Sequence, residues 1–425
     1  MINDKYKLPE AFIDWLVDLR RWFHQFPEPA YKEEKTAAKI CQVLEAFKVP
    51  FQAGVGGTGV VAKVSASQPG PLVAFRSDMD ALPLEEKNDV PYKSRNQGLM
   101  HACGHDGHIT IALGVIRWLM ENGWHQNGSG GILFIFQPAE EGGAGAKAML
   151  ETGIFDSEPV QAAFAGHMYP ELPAGHIGMA PEISNAAADN LIIRLKGKGG
   201  HGAHPHHCKD PIVAGAHLVT QLQSLISREL PPLESAVLTI GRFQAGTASN
   251  IIPEEAVLEG TLRTLRPDIR KQIVTRLEEL VKGVAQSCGI LATLEVIKGY
   301  PVLVNDSELV KHTAACAGKI LGADKVQSGL PRMGAEDFAY FCQKWGGVMV
   351  GLGCHDPSKG FQYGLHSPYF DIDERVLEVG TRLFAHVLTQ YLEKNNHEKT
   401  GVKRHPPFHS SPPKHSLKIR RYDNG

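Results

Sequence analysis

The sequence is short of several features that would assign it at once. No apolar run reaches the roughly 18 residues that a membrane-spanning helix requires. The first residues, MINDKYKLPEAF, hold no apolar core of a signal peptide. Positive charge is not in excess: 44 Lys and Arg against 46 Asp and Glu give a net charge of −2, without the basic field of a nucleic-acid-binding chain. A disulfide framework uses an even set of cysteines at regular spacing, whereas the seven here are odd in number and irregularly placed. No segment recurs at a period of roughly 20–50 residues, which excludes a solenoid. These absences predict a cytoplasmic chain with neither a membrane nor a nucleic acid as partner.

What is present suits a soluble protein of two or three domains. The 425 residues are 43% hydrophobic and 21% charged. Phe12, Trp15, Leu16, Leu19, Trp22 and Phe23 recur at three-to-four spacing, so residues 10–25 are predicted to form an amphipathic helix, and a second is predicted at about 35–47. The apolar runs PLVAF (71–75), GILFIF (131–136), QAAFA (161–165) and GGVMVGL (346–352) read as strands buried on both faces, alternating with helices. The middle of the chain differs. DNLIIRLKG, a helix at about 210–228, AVLTIGRFQAG, AVLEGTLRTL, a helix at about 267–286 and ATLEVIKGY give a β-α-β-β-α-β order, the ferredoxin-like pattern. The expected organisation is a discontinuous α/β domain over 1–181 and 297–393, with an α+β domain inserted at 182–296. A basic, proline-rich tail follows over 394–425, where eight Lys/Arg stand against Glu398 and Asp423. Its few apolar groups predict disorder.

Three of the buried runs lead into polar clusters: Arg76-Ser-Asp78-Met-Asp80, Gln137-Pro-Ala-Glu140-Glu141-Gly-Gly, and Gly166-His167. Ligands of open α/β sheets bind beyond the C-terminal ends of the strands. The segment Met100-His-Ala-Cys-Gly-His-Asp-Gly-His108 adds Cys103 and His105, two apart, so that both can point the same way from an extended loop. Thiolate, imidazole and carboxylate together suit a first-row divalent metal, and a following helix N-terminus favours the thiolate. A loop of satisfied histidines is the plain alternative. Glu140 and Glu141 would repel each other if buried unpaired. A cation removes that difficulty, one Glu binding it and the other taking a proton from metal-bound water. A solvated helix start is the alternative here. Gly142, Gly143 and Gly145 then permit close backbone approach. His366, in GLHSPYF, read alone is a surface histidine.

Together these segments resemble the M20 metallopeptidase family, and within it the amidohydrolase branch of hippurate hydrolases, N-acyl-amino-acid deacylases and plant auxin-conjugate hydrolases. The matching segments are FRSDMDALPLEE, MHACGHDGH, FQPAEEGGAGAKAML, GHMYPELPAG, GKGGHGAHPH, SNIIPEEAVLEGTLRT, MGAEDFAYF and LHSPYF, in family order from about residue 20 to 390. The resemblance implies a zinc-peptidase-like catalytic domain carrying a ferredoxin-like lid and dimerisation domain. It implies that Cys103, His105, Glu141, His167 and His366 hold two divalent ions per subunit (Mn²⁺, Zn²⁺, Co²⁺ or Ni²⁺), with Cys103 bridging them. Glu140 would be the general base, and Asp80 would orient a ligand histidine; Asp78 stands where the wider family has a metal-binding His. His201 matches a lid histidine that stabilises an oxyanion, often in a partner subunit's site. Asn250 and Arg263 match positions that contact the substrate carboxylate, although a turn before Pro253 and a structural ion pair explain them equally.

The activity implied is hydrolysis of the amide bond of a small-molecule N-acyl amino acid, hippurate-like or N-acetyl, by a homodimer formed through the lid. The alternatives are a dipeptidase or carboxypeptidase of the same fold, a hydrolase with Cys103 as nucleophile, and an inactive metal-binding module.

Overall fold

The structure, a computed structural model, describes residues 7–396. The chain packs as two compact units. Of the described residues, one takes in those up to Ser184, Val304–Leu330 and those from Asp337 to Asn396; the other takes in Asn185–Leu303 and Pro331–Glu336. The helix Arg375–Asn396 includes the first three residues of the basic tail, and the rest of that segment lies outside the described residues.

The first unit is built on an eight-stranded mixed sheet. Its centre is a parallel group, Gln68–Asp78 between Ser129–Gln137 and Val160–Pro173, with Gly347–His355 parallel to the last. Alternate residues of these strands face opposite ways. Val73, Phe75, Ile132, Phe134, Phe136, Ala162, Phe164, Val348 and Val350 join the main apolar core, and Leu72, Ala74, Leu133, Ile135, Ala163 and Met349 between them are buried as well. Burial of both faces is why these strands read as unbroken apolar runs. Helices Glu10–Gln25, His105–Glu121 and Arg375–Asn396 pack together, and the last two lie against Gln68–Asp78, where the Phe75 and Phe384 rings sit 4.5 Å apart. The short strands Ile177–Met179 and Val326–Ser328 extend the sheet beyond Gly347–His355. They are too brief to leave a sequence signal.

The second unit is a four-stranded antiparallel sheet under two helices. Its strands Ala187–Lys196, Ala236–Ala245, Glu255–Thr264 and Leu291–Lys298 are ordered in space second, third, first, fourth. Leu191, Ile193 and Leu195 alternate toward Leu218, Leu222 and Leu225 of helix Pro211–Glu229 and Ile273 and Leu277 of helix Pro267–Cys288. Asp210 caps the first helix by accepting from the N–H groups of Ile212 and Val213. The α/β class with an inserted ferredoxin-like domain is therefore as the sequence predicts. Among the described residues no helix is long and apolar enough to cross a membrane.

A buried charge cluster ties the first helix to the start of helix His105–Glu121. Asp106 Oδ2 lies 2.8 Å from Arg20 Nε and 2.7 Å from His24 Nδ1, while Arg20 Nη2 donates to Asp371 at 2.7 Å. His24 Nε2 lies 3.2 Å from Glu86 Oε1, so both ring nitrogens face carboxylates. Burial and the neighbouring Arg20 pull the His24 pKa down, but Asp106 and Glu86 outweigh them and push it up to about 9. A histidine raised above its ordinary value of about 6.5 adds stability that is whole below that pH and disappears as pH rises through the folded value. Denaturant unfolding of the wild type and of His24→Gln between pH 6 and pH 10 checks this. The wild-type advantage is expected to shrink by something on the order of 3 kcal/mol across that range; a constant difference would contradict it.

Candidate active site

The strand register assembles this site. Asp78 pairs with Gln137 across two parallel strands, and Arg76 pairs with Ile135 on one side and Ala165 on the other. The chain segments leaving those strands therefore start at one level, where helix His105–Glu121 also begins. The strand containing QAAFA does not stop before His167, as the sequence suggests, but runs through it to Pro173. Gly104, with φ +84°, turns the chain into the helix, and a Cβ there would stand 2.6 Å from the Met168 side chain.

Asp80 organises the two segments that carry the most chemistry. Its carboxylate accepts the N–H groups of Glu140 and Glu141, each at 2.9 Å, and its main-chain carbonyl accepts from His105 Nδ1 at 2.8 Å. A carbonyl only accepts, so His105 carries a proton on Nδ1 and turns Nε2 inward. That Nε2 is buried with no hydrogen-bond partner, 3.6 Å from Asp78 Oδ2. His167 is set in the same way: Nδ1 donates to the Met168 carbonyl at 2.9 Å, and Nε2 lies 3.6 Å from Cys103 Sγ. His366 has φ +62°, and its N–H donates to the Ala102 carbonyl at 2.8 Å. That bond docks its loop beside Cys103, with Nε2 3.2 Å from Glu141 Oε1.

The backbone around Glu140 and Glu141 is tightly constrained. Ala139 and Ala144 both have φ +54°, a conformation that costs a residue with a Cβ on the order of 1–2 kcal/mol. The Ala139 N–H is held by Glu33 Oε1 at 2.9 Å. A Cβ on Gly145 would stand 1.6 Å from the Pro138 carbonyl, which leaves no alternative to glycine. Beneath the loop, Asp337 accepts from Arg76 Nη2 at 2.9 Å, Gln137 Nε2 at 2.8 Å and the Ala146 N–H at 3.0 Å.

Side chains that could hold a cation fall into overlapping sets, each with ligand atoms within 4.8 Å of one another. Cys103, His105 and His167 form one; Cys103, Glu141 and His366 form another; His105, Glu140 and Glu141 form a third. Cys103 belongs to the first two. A soft thiol, imidazoles and carboxylates arranged around a buried, unpartnered imidazole nitrogen fit a pair of first-row divalent ions.

The electrostatics bear on the same point. Burial, with Glu141, Glu140 and Asp78 nearby, pushes the Cys103 thiol well up, so these neighbours outweigh any help from the helix N-terminus that the sequence suggests. Burial pulls His105 down, but Asp78, Asp80 and Glu141 overcome it and push its pKa up to about 10. His167 goes the other way, to about 4, because burial and the charge on His105 outweigh Asp78. Without a cation the cluster therefore favours a protonated thiol. The charge it calls for is positive.

Asp80, Cys103, His105, Glu140, Glu141, His167 and His366 thus meet in the first unit. His201, Asn250 and Arg263 belong to the second. There His201 is exposed, pairs in register with Ile251 and takes the Ala203 N–H on its Nδ1 at 3.0 Å, while Gly202 donates to the Asn250 carbonyl at 2.8 Å. His201 and Asn250 are neighbours. Arg263 is apart from them, on strand Glu255–Thr264 opposite Val237 and Ala188. The sequence reading assigned nothing to Arg76, Glu33, Gln137, Asp337 or His108. All but Glu33 lie inside the motifs quoted above, and His108 follows His105 at helical spacing, which is a usable signal.

Residues 74–390 match the model of peptidase family M20/M25/M40. An N-acetyldiaminopimelate deacetylase of Brevibacillus brevis is 39% identical over 376 residues, covering 88% of this chain and 97% of the relative. The IAA-amino acid hydrolase ILR1-like 4 of Arabidopsis thaliana is 36% identical over 385 residues, covering 90% and 86%. Among solved structures, the YXEP protein of Bacillus subtilis, described as a dinuclear metal-binding peptidase of the M20 family, superposes with a TM-score of 0.79 at 32% identity, covering 91% of this chain and 99% of that one. The chain belongs to the peptidase family M20/M25/M40 and is a hydrolase of amide bonds.

Proposed function

We propose that the protein hydrolyses the amide bond of N-acyl amino acids, hippurate-like or N-acetyl, with two divalent cations held by Cys103, His105, Glu141, His167 and His366. The observation that carries this reading is the sharing of Cys103 between two ligand sets, one with His105 and His167 and one with Glu141 and His366. The two relatives, an N-acetyldiaminopimelate deacetylase and an IAA-amino acid hydrolase, support the substrate class. The bound cations would supply Lewis acidity, lowering the pKa of a coordinated water toward about 7 and polarising the acyl carbonyl.

The chain's own groups do the rest. Glu140, whose backbone is fixed by Asp80 and whose carboxylate lies beside His105 and Glu141, takes the proton of the attacking water and returns it to the departing amine. The acyl group leaves as a carboxylic acid, so water is consumed and no covalent intermediate forms. Asp80 keeps Glu140, Glu141 and His105 in one arrangement. His201 would stabilise the oxyanion, and Asn250 and Arg263 would bind the substrate carboxylate. The high thiol pKa counts against Cys103 as a nucleophile.

A homodimer formed through the inserted domain and a cytoplasmic location belong to the same proposal. The edge strand Ala236–Ala245 and helix Pro211–Glu229 expose Ile212, Val213, Val237 and Phe243, an apolar set that a partner would cover.

Amine release from N-acetyl, N-benzoyl and indole-acetyl amino acids tests the reading. A chelator is expected to abolish turnover, and Mn²⁺ or Zn²⁺ to restore it. Turnover that survives chelation would refute the metal site, and turnover of dipeptides alone would move the substrate class. Glu140→Gln is expected to lower kcat by about 10²–10⁴-fold while metal content by elemental analysis stays at the wild-type level. Loss of metal together with activity would make Glu140 a ligand instead. Asp80→Asn, which exchanges one accepting oxygen for a donor, is expected to lower activity or metal affinity by about 10–100-fold. Unchanged kinetics and metal titration would remove Asp80 from the positioning role.

A further inference from the structure

His108 has no part in the mechanism above, yet it is almost wholly enclosed and both its ring nitrogens are engaged. Its Nδ1 lies 2.6 Å from Asp78 Oδ1, and the Met168 N–H points at its Nε2 from 2.9 Å. A backbone N–H only donates, so Nε2 is the accepting nitrogen and Nδ1 carries the proton given to Asp78. Asp78 is committed in turn, its second oxygen taking Arg76 Nη1 at 2.6 Å. Although Asp78, His105 and His108 lie close enough together to suggest a cation site, only His105 Nε2 among them has no hydrogen-bond partner.

The Met168 peptide is held from both sides. Its N–H goes to His108, and its carbonyl accepts from Nδ1 of His167, the bond that turns His167 Nε2 toward Cys103. Gly104 and Gly107 close on the Met168 side chain, since a Cβ on either would stand 2.6 Å or 2.5 Å from it. The His108 and His167 rings are 4.8 Å apart. We propose that His108 is a positioning residue of the metal centre, a neutral bridge between Asp78 and the Met168 peptide that aims His167 at the Cys103 thiolate without itself binding metal. This rests on the two-cation reading.

Two substitutions separate the two contacts. His108→Gln puts a carbonyl oxygen near the Nε2 position and can still accept the Met168 N–H. His108→Asn keeps a donor toward Asp78 but withdraws the acceptor. Titration with Co²⁺, followed by the thiolate-to-metal absorption band, reads the site without turnover. The wild type is expected to take two Co²⁺ per chain. His108→Asn should weaken one of them about 10–100-fold and leave the other, with His108→Gln nearer the wild type. Two Co²⁺ bound to His108→Asn as tightly as to wild type would overturn the proposal. So would equal weakening of both sites, or equal losses in the two variants. A wild type that takes up no Co²⁺ would overturn the two-cation reading along with it.

Should His108→Asn fail to fold, ¹⁵N-histidine-labelled wild type carries the test, with the His108 signals assigned by their absence from the His108→Gln spectrum. Their pattern, protonated Nδ1 and unprotonated Nε2, should stay unmoved when Zn²⁺ is added while the ligand histidines shift. Movement of the His108 signals like those of a ligand would overturn the proposal.

Discussion

The register between Gln68–Asp78 and its two parallel neighbours is the constraint on which the first unit's chemistry depends. It sets the ends of two strands level with the middle of a third, so that Asp78, Asp80, the Glu140–Glu141 pair and His167 approach each other although up to about 90 residues separate them in the chain. That register is enforced by burial on both faces: a slip of one residue would exchange the Phe75 and Phe134 side with the Leu72 and Ala74 side. Arg76 then converts strand order into site order. It reaches Asp78 on its own strand, Gln137 on the neighbouring strand and Asp337, so that one guanidinium fixes three contributors. As a buried cation that is planar and five-fold donating, it can do so in a way that lysine could not.

The charge pattern gives the site its bias. Carboxylates crowd a buried thiol and two imidazoles, and two buried guanidinium groups, Arg20 and Arg76, are already paired with Asp106 and Asp371 and with Asp78 and Asp337. The imidazoles answer in opposite senses, His105 drawn toward the charged form and His167 held neutral, because one faces Asp78, Asp80 and Glu141 while the other sits next to His105 itself. Such divergence among neighbouring groups is characteristic of functional sites.

Much of this was legible in the sequence, for identifiable reasons. The doubly buried strands announce themselves as apolar runs, and the first helix by the spacing of Phe12, Leu16, Leu19 and Phe23. The β-α-β-β-α-β order of the inserted domain stood out because its strands alternate where those of the main sheet do not. The polar clusters at the strand ends pointed to one place, and the structure brings Asp80, Cys103, His105, Glu140, Glu141, His167 and His366 there. What the sequence could not show is which distant side chains meet. Arg76 and Asp337 are 261 residues apart, and Arg20 and Asp371 are 351 apart, with no pattern linking either pair. Nor could it show that His167 sits within a long strand, or that Pro331–Glu336 belongs with the second unit.

His105 and His167 both hand their Nδ1 proton to a main-chain carbonyl, that of Asp80 in one case and of Met168 in the other. Their tautomers are thus written into the path of the backbone and not into any side chain. Replacing the side chain at position 80 or 168 leaves the accepting oxygen in place, so the choice of which ring nitrogen faces inward can outlast a change of side chain at either position. A lineage could alter the chemistry near these positions and still inherit the same pair of inward-facing nitrogens.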